Sequence, residues 1–428
     1  MEFKYKNVLI LGYGVSGKAV EEVLLNKKIN YKIFDSNINF KDGKFISKYN
    51  KKTIKNFDLV VLSPGISVYS KYVKLAKRLK IEVISEIEFA SMFCNKYIIA
   101  VTGTNGKTTT VNLINHILTN LGVKTELVGN VGTPFSLTYK SDATVSVVEV
   151  SSFQLEKVKN FKPNISVLLN IDYDHIDRHK TFENYSATKF ELFKNQSFLD
   201  YAIINKSVSK FKCNNKISKD VQKFIINDDI YVKDNVIYLN KDNNIIKVCN
   251  ISKFKHINTC LDNILASILV CFIYGLNLKD IINEICSFKV SDNRMQIVKT
   301  INNVTYINDS KATNIHATKY ALDALKDKDI VLILGGFDKK LNFETFFNNI
   351  PNNVVKVVLF GQVANRLEKT CKKCKYLNYV KFDKLIDAIN YCKTNAPSNS
   401  YVLFSPANSS FDEFESYKKR GDFFVENV

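Results

Sequence analysis

The chain has 428 residues, 46% of them hydrophobic, with 61 lysines and arginines against 42 aspartates and glutamates, a formal net charge of +19. That composition excludes a disordered chain and fits two to four domains at roughly 100–200 residues each. Arg78, Arg178, Arg294, Arg366 and Arg420 are the only arginines; the lysine excess, with abundant Asn and Ile, reads as coding bias, and no aromatic–basic cluster of the single-strand-binding kind accompanies it.

The first stretch, MEFKYKNVLILGYG, runs from apolar residues straight into glycines. It reads as a strand rather than a cleavable leader. NVLILGYGVSGKAVEEVLL then gives strand, turn and helix, and Tyr31–Asp35, Asp58–Ile66 and Ile81–Ser85 are further strands. This is the βαβ rhythm of a parallel sheet. Gly12, Gly14 and Gly17 stand where the backbone amides of a helix start favour an anion. Asp35 ends the next strand, the place of a ribose-binding acid in dinucleotide folds. Three readings stay open for that turn: a nucleotide diphosphate, NAD, or a structural turn. Ser63-Pro64-Gly65 lies on the same carboxyl edge, where ligands collect.

A second unit starts near Lys96. Tyr97 to Val101 is a buried-type strand, followed by TGTNGKTTT and a helix expected from Thr108 to about Leu121. The stretch lacks the first glycine of G-x-x-x-x-G-K-[ST]; Val101 stands there. Gly103 and Gly106 still permit close backbone approach to phosphate. Lys107 can reach terminal phosphates and Thr108 offers a hydroxyl to Mg²⁺. Glu149 ends an apolar strand facing that loop, a carboxylate suited to a hard cation. Asn170 to His179 gathers Asp172, Asp174, Asp177, His175 and His179 in a loop, read as a second metal or phosphate-contacting site. Lys189 falls on a helical pattern, YSATKFELF. From about Asn205 to Asn250 a Lys/Asn-rich alternating stretch suggests a small antiparallel addition. A long apolar helix covers about Asp262 to Tyr274; its apolar run is too short for a membrane span of about 20 residues.

A third unit starts near Ser291. Its strands VTYINDS, IVLILGG, VKVVLF and YVLFSP carry the loops NDSKATN, GGFDK and SPANSSFD at one edge. Of nine cysteines only Cys371 and Cys374 form a C-x-x-C, with no second pair and no nearby His. The pattern carries no zinc or redox signal, and a reducing, cytoplasmic setting fits.

Taken in order, TGTNGKTTT, EVSSFQLE, NIDYDHIDRH, YINDSKATN, LILGG and SPANSSFDEF resemble the ATP-dependent Mur ligases of peptidoglycan synthesis, within them the D-glutamate-adding branch, over essentially the whole chain. The resemblance implies an α/β protein of three domains. Residues 1–92 would be Rossmann-like and hold UDP-N-acetylmuramoyl-L-alanine. Residues 93–290 would be a mostly parallel P-loop ATPase-type domain, and residues 291–428 a Rossmann-like domain for D-glutamate. It replaces the NAD reading at Gly12–Gly17 with the UDP end of the substrate. It implies ATP on Gly103, Thr104, Asn105, Gly106, Lys107, Thr108 and Thr109, with Arg294, Asp309 and Lys311 contributing. Two Mg²⁺ sites would draw on Thr108, Glu149, His175 and a carbamylated Lys189, with Lys107, His175 and Lys189 as catalytic residues. Val15, Ser16, Ser36, Gly65, Asn130 and Ser151 would contact the UDP substrate; Thr313, Lys339, Ser410 and Tyr417 would receive D-glutamate. A monomer is implied, with no nucleic-acid partner and no membrane insertion. The chain departs from the family pattern at Asn37, at Asn293 where a His is common, at Tyr417 where a Phe is common, and at Thr259-Cys260, where a His-Asn pair is expected before the long helix.

Overall fold

The structure is a computed structural model that describes residues 3–38, 43–254, 259–289 and 292–428. The chain divides into two compact units, Met1–Phe288 and Lys289–Val428. The first holds two sheets and the second holds one.

The first sheet comprises β1 (Asn7–Leu11), β2 (Asn30–Phe34), β3 (Leu59–Leu62) and β4 (Glu82–Ser85), in the order β2-β1-β3-β4. All pairings are parallel. The next comprises β5 (Tyr97–Thr102), β6 (Thr125–Gly129), β7 (Val145–Glu149), β8 (Ile165–Leu168), β9 (Tyr201–Asn205), β10 (Gln222–Ile226), β11 (Ile230–Lys233), β12 (Val236–Lys241) and β13 (Asn244–Asn250). Its order is β13-β12-β11-β10-β9-β8-β5-β7-β6. The last sheet comprises β14 (Gln296–Ile301), β15 (Val304–Asn308), β16 (Ile330–Gly335), β17 (Val354–Phe360), β18 (Tyr379–Lys381) and β19 (Tyr401–Ala407), ordered β14-β15-β19-β16-β17-β18.

The central strands read as unbroken apolar runs because helices or loops cover both faces. All four residues of β3 are buried, as are all five of β7. Each fully buried Val, Ile or Leu contributes about 1.5–3 kcal/mol relative to exposure. In each sheet the strand that feeds a candidate anion loop is flanked on both sides: β1 by β2 and β3, β5 by β8 and β7, β19 by β15 and β16. Those are the points where parallel sheets open a crevice at their carboxyl ends.

The antiparallel addition expected after Asn205 is β11–β12–β13, while β10, also in that stretch, pairs parallel to β9 along its whole length and carries the sheet outward. The apolar helix runs Leu261–Ile273 and the helix after the phosphate loop Lys107–Asn120.

The first two sheets are joined by buried acids on the short helix Glu86–Ser91. Glu88 accepts the backbone N–H groups of Lys159, Asn160 and Phe161 at 2.8–3.0 Å. Glu86 accepts from the Ser136 N–H and hydroxyl at 2.8 and 2.6 Å.

Candidate active site

The turn after β1 is built by glycine. A Cβ on Gly17 would lie 2.1 Å from the Gly12 carbonyl oxygen, so the helix Val15–Asn26 can approach the turn only without a side chain there. Asp35 braces the turn: its two carboxylate oxygens accept the Tyr13 and Asn37 backbone N–H groups at 2.8 and 2.9 Å. It thus shapes the loop while remaining on the wall of the cleft above it. A cleft of about 590 Å³ opens over this turn. Val15, Ser16, Ser36 and Gly65 line it, and Asn130 and Gln154 reach it from the central sheet. Ser151 does not line it. Its hydroxyl accepts the Gln154 N–H at 3.3 Å and Gln154 answers through Oε1 to the Ser151 N–H at 2.9 Å, a reciprocal cap of the helix Ser152–Leu155.

The phosphate loop is drawn tight by its own cations. Lys107 Nζ donates to the Gly103 and Thr104 carbonyls at 2.8 and 2.9 Å. Lys189 Nζ, 1% exposed, donates to the same Gly103 carbonyl at 2.8 Å. Burial, and after it Lys107, pushes the Lys189 ammonium well below its usual range, against the pull of Asp174 and Asp172. Asn170 clamps Asn105 from both sides, accepting its N–H at 2.8 Å and donating to its carbonyl at 3.1 Å. The Thr104 hydroxyl accepts the Asp172 N–H at 2.9 Å and meets the Tyr185 hydroxyl at 2.9 Å. Thr108 and Thr109 are buried at the start of the following helix.

Gly106 has φ +86°, and a Cβ there would meet Asn263 Oδ1 at 2.3 Å. Asn263, on the long apolar helix and 4% exposed, donates to the Thr259 hydroxyl at 3.0 Å. The sequence reading looked for a His-Asn pair at Thr259-Cys260. The asparagine packed against the loop is Asn263 itself, and an Asn in an otherwise apolar helix was the signal.

Glu149 is 2% exposed at the end of β7, hydrogen-bonded to β5 through the Val150 N–H to Val101 carbonyl contact at 2.9 Å. One of its oxygens accepts from Asn130 Nδ2 at 2.7 Å; the other, Oε2, is buried with no hydrogen-bond partner. An orphaned, buried carboxylate oxygen beside a phosphate loop is a donor suited to a hard cation. Among the described residues no three His, Cys, Asp or Glu side chains converge on one point, so a cation here would complete its shell from phosphate oxygens and water.

The His-rich loop splits in two. His175 caps the helix Ile176–His179 at φ +54°, and its side chain is 38% exposed with an edge against Phe153 at 4.9 Å. His179 is buried, stacked on Phe153 at 5.8 Å and 3.0 Å from the Ser152 hydroxyl, and burial lowers its pKa to about 4. Arg178 is also structural. It forks onto Glu156 with its closest contact at 2.6 Å and donates to the Ile66 carbonyl at 2.8 Å. Of the two histidines of this loop, His179 is enclosed and His175 stands nearer the surface.

In the second unit the three expected loops meet. Phe337 N–H donates to the Ser409 carbonyl at 2.9 Å, joining GGFDK to SPANSSFD. Lys339 Nζ donates to the Thr313 carbonyl at 3.2 Å, joining GGFDK to NDSKATN. Lys311 Nζ lies 5.2 Å over the Tyr417 ring. Asp309, buried beside Arg294, accepts the Ser405 hydroxyl at 2.8 Å; burial raises its carboxyl to about 7. Ser410 is buried, with its carbonyl accepting the Phe414 N–H at 2.8 Å. Asn293, the departure from the common His, has φ +67° and accepts from Asn308 Nδ2 at 3.0 Å.

The residue missed here is Arg420. It is fully buried and donates to the Ser310 hydroxyl and carbonyl at 3.0 and 2.7 Å and to the Asn408 and Ser409 carbonyls at 3.0 Å each. Burial lowers its pKa to about 9. Cys371 is buried and Cys374 half-buried on one helix, and all nine cysteines are free.

With this geometry, comparison with known proteins is decisive. Family profiles described as "Mur ligase MurD-like, N-terminal domain", "Mur ligase middle domain" and "Mur ligase, glutamate ligase domain" match residues 6–85, 101–270 and 293–408. A relative named UDP-N-acetylmuramoylalanine--D-glutamate ligase from Thermoanaerobacter pseudethanolicus is 36% identical over 459 aligned residues, covering 100% of this chain and 99% of its own. The chain belongs to the Mur ligase family. Another relative of the same name, from Clostridioides difficile, is 32% identical with 100% and 99% coverage. Among solved structures, a Mur ligase fold recurs in the Thermotoga maritima UDP-N-acetylmuramate-alanine ligase, at TM-score 0.59, 16% identity, and 99% and 98% coverage. The Thermotoga maritima MurF ligase in complex with ADP gives 0.60, 16%, and 98% and 95%. The α/β, mostly parallel architecture is that of the Mur ligases. No helix among the described residues is long and apolar enough to cross a membrane.

Proposed function

We infer that this Mur ligase is an ATP-dependent amide ligase that adds D-glutamate to UDP-N-acetylmuramoyl-L-alanine, releasing ADP and phosphate in peptidoglycan precursor synthesis. Whole-chain identity of 36% to a D-glutamate ligase carries the reading. The phosphate loop, with two lysines on one carbonyl, fits its chemistry. A cytoplasmic monomer is the proposed setting, in three domains, residues 1–92, 93–290 and 291–428.

A carboxylate is a poor electrophile because its leaving group would be oxide. Transfer of the ATP γ-phosphoryl group to the substrate's alanine carboxylate makes an acyl phosphate. The D-glutamate amine then adds to that carbonyl, and the tetrahedral adduct expels phosphate. Lys107 and the loop amides from Gly103 to Thr109 would bind the ATP phosphates, and Lys107 would offset charge as two anions meet. Arg294, Asp309 and Lys311 would contribute to nucleotide binding. Thr108, Glu149, His175 and a carbamylated Lys189 would hold Mg²⁺ at two sites, where the cation would neutralise the charge of the phosphate and the carboxylate. Lys189 fits carbamylation: burial and Lys107 lower the proton affinity of its amine, which favours the neutral form that takes up CO₂, and the carbamate is an anion suited to a metal. Val15, Ser16, Ser36, Gly65 and Asn130 would seat the UDP substrate in the cleft. Ser151 would contact the substrate from beside Gln154, which lines the cleft. Lys339 would pair with a D-glutamate carboxylate, and Thr313, Ser410 and Tyr417 would help position that amino acid.

The test is an acceptor series with ATP, Mg²⁺ and UDP-N-acetylmuramoyl-L-alanine. Phosphate release should require D-glutamate. Release with no acceptor, or equally with D-glutamate, L-glutamate, L-lysine and diaminopimelate, would overturn the reading.

A further inference from the structure

A basic cavity of about 570 Å³ lies between β4 of the first sheet and the segment that follows β7. It shares no lining residue with the substrate cleft. Five lysines face it: Lys77, Lys157, Lys159, Lys194 and Lys216. Three of them are answered. Lys159 pairs with Glu82 at 2.8 Å, Lys194 with Glu191 at 3.1 Å, and Lys216 with the same Glu191. The third lining acid, Glu156, is taken by Arg178 at 2.6 Å. Lys77 and Lys157 have no carboxylate in ion-pair contact among the described residues.

Both line the same cavity, Lys157 half-buried and Lys77 at its exposed rim. Burial, then Lys77, pulls the Lys157 ammonium below its usual range, with Lys194 adding to the repulsion and Glu156 only partly opposing it. Like charges kept together in a partly desolvated cavity are destabilising unless an anion neutralises them. Folding has nonetheless placed them there, from a helix of the first sheet and a loop of the central one. We propose that this cavity is an anion site, separate from the phosphate loop and from the cleft over the Gly12 turn, that takes a small phosphorylated polyanion between Lys77 and Lys157. Glu156 and His179 also line the cavity, and Arg178 runs from Glu156 to the Gly65 and Ile66 carbonyls. Gly65 and Ile66 line the substrate cleft, so an anion bound here touches the frame of that cleft.

The probe is inorganic pyrophosphate, titrated calorimetrically without Mg²⁺ into the full chain presaturated with ADP and UDP-N-acetylmuramoyl-L-alanine. One equivalent should bind, in the wild type and in Lys107→Ala alike. The double variant Lys77→Gln/Lys157→Gln should bind at least tenfold more weakly. Because that variant relieves a repulsion, its thermal midpoint without pyrophosphate should equal or exceed the wild type's, and pyrophosphate should no longer raise it. A parallel titration with UMP separates a bare polyphosphate from a nucleotide; saturable binding of either one, lost in the double variant, supports the site. Binding unchanged in the double variant, loss confined to Lys107→Ala, or no binding of either probe overturns it.

Discussion

Gly106→Ala tests whether the phosphate loop is shaped by Asn263. The residue sits at φ +86°, in the left-handed region, where an alanine costs about 1–2 kcal/mol. Its new Cβ would also stand 2.3 Å from Asn263 Oδ1 and 3.1 Å from Leu169 Cδ1. Overpacking of that kind costs about 1–3 kcal/mol. The single substitution should therefore lower unfolding free energy by about 2–5 kcal/mol, a large part of a domain's usual margin. Asn263→Ala alone removes the hydrogen bond to Thr259, worth about 1 kcal/mol. In the double variant Gly106→Ala/Asn263→Ala the clash with Asn263 is gone, leaving the backbone term, the tight Leu169 contact and the lost bond. The cycle should show a coupling of about 1–3 kcal/mol in favour of the double variant. Urea unfolding of all four proteins measures it, and ADP titration should show the same partial recovery. Simple additivity, within about 0.5 kcal/mol, would refute the claim that Asn263 shapes the loop.

Lys189→Ala should lose activity by about two orders of magnitude or more, as for an electrostatic catalytic group; acetate or formate should restore part of it, and no restoration at any concentration would argue against an anion at that position. Asp309 has its carboxyl raised to about 7 from 3.8, so the folded state holds the proton more tightly than the unfolded one. Its contribution to stability is complete below about pH 4 and is lost as pH rises through about 7, by up to about 4 kcal/mol. Asp309→Asn should flatten that fall in a pH series of unfolding midpoints. Arg420→Met should destabilise the chain by about 3–5 kcal/mol, because it strands the Ser310 and Asn408 carbonyls in the interior and leaves the Ser409 carbonyl only the Phe337 N–H; Arg420→Lys should recover only part, since one ammonium cannot reach all three.

What could be read from the sequence was local. Glycine spacing after an apolar strand identifies the loops at Gly12 and Gly103, because turn chemistry and strand period sit within a few residues. Carboxyl-edge placement then brings Val15, Ser36, Gly65 and Asn130 to one cleft. The pairing of β10 with β9 was hidden, since alternation along a strand says which face is buried but not which neighbour it meets. Arg420 was missed for a related reason: in SYKKRGD it looks like one more solvated cation, and its partners lie far back in the chain, at Ser310 and Asn408. Ser151 misled in the opposite direction, a motif serine whose hydroxyl is used by its own helix.

The acids on the helix Glu86–Ser91 have one more consequence. Three successive amides of the central unit converge on the Glu88 carboxylate, and Glu86 grips Ser136 nearby. The walls of the cleft over the Gly12 turn, drawn from both sheets, are thereby tied together by the fold itself. The entropy of assembling that cleft is met during folding, so capture of the proposed UDP end should need no hinge within Met1–Phe288. Its association rate should be set by diffusion and by the chain's positive field, and should fall smoothly with added salt.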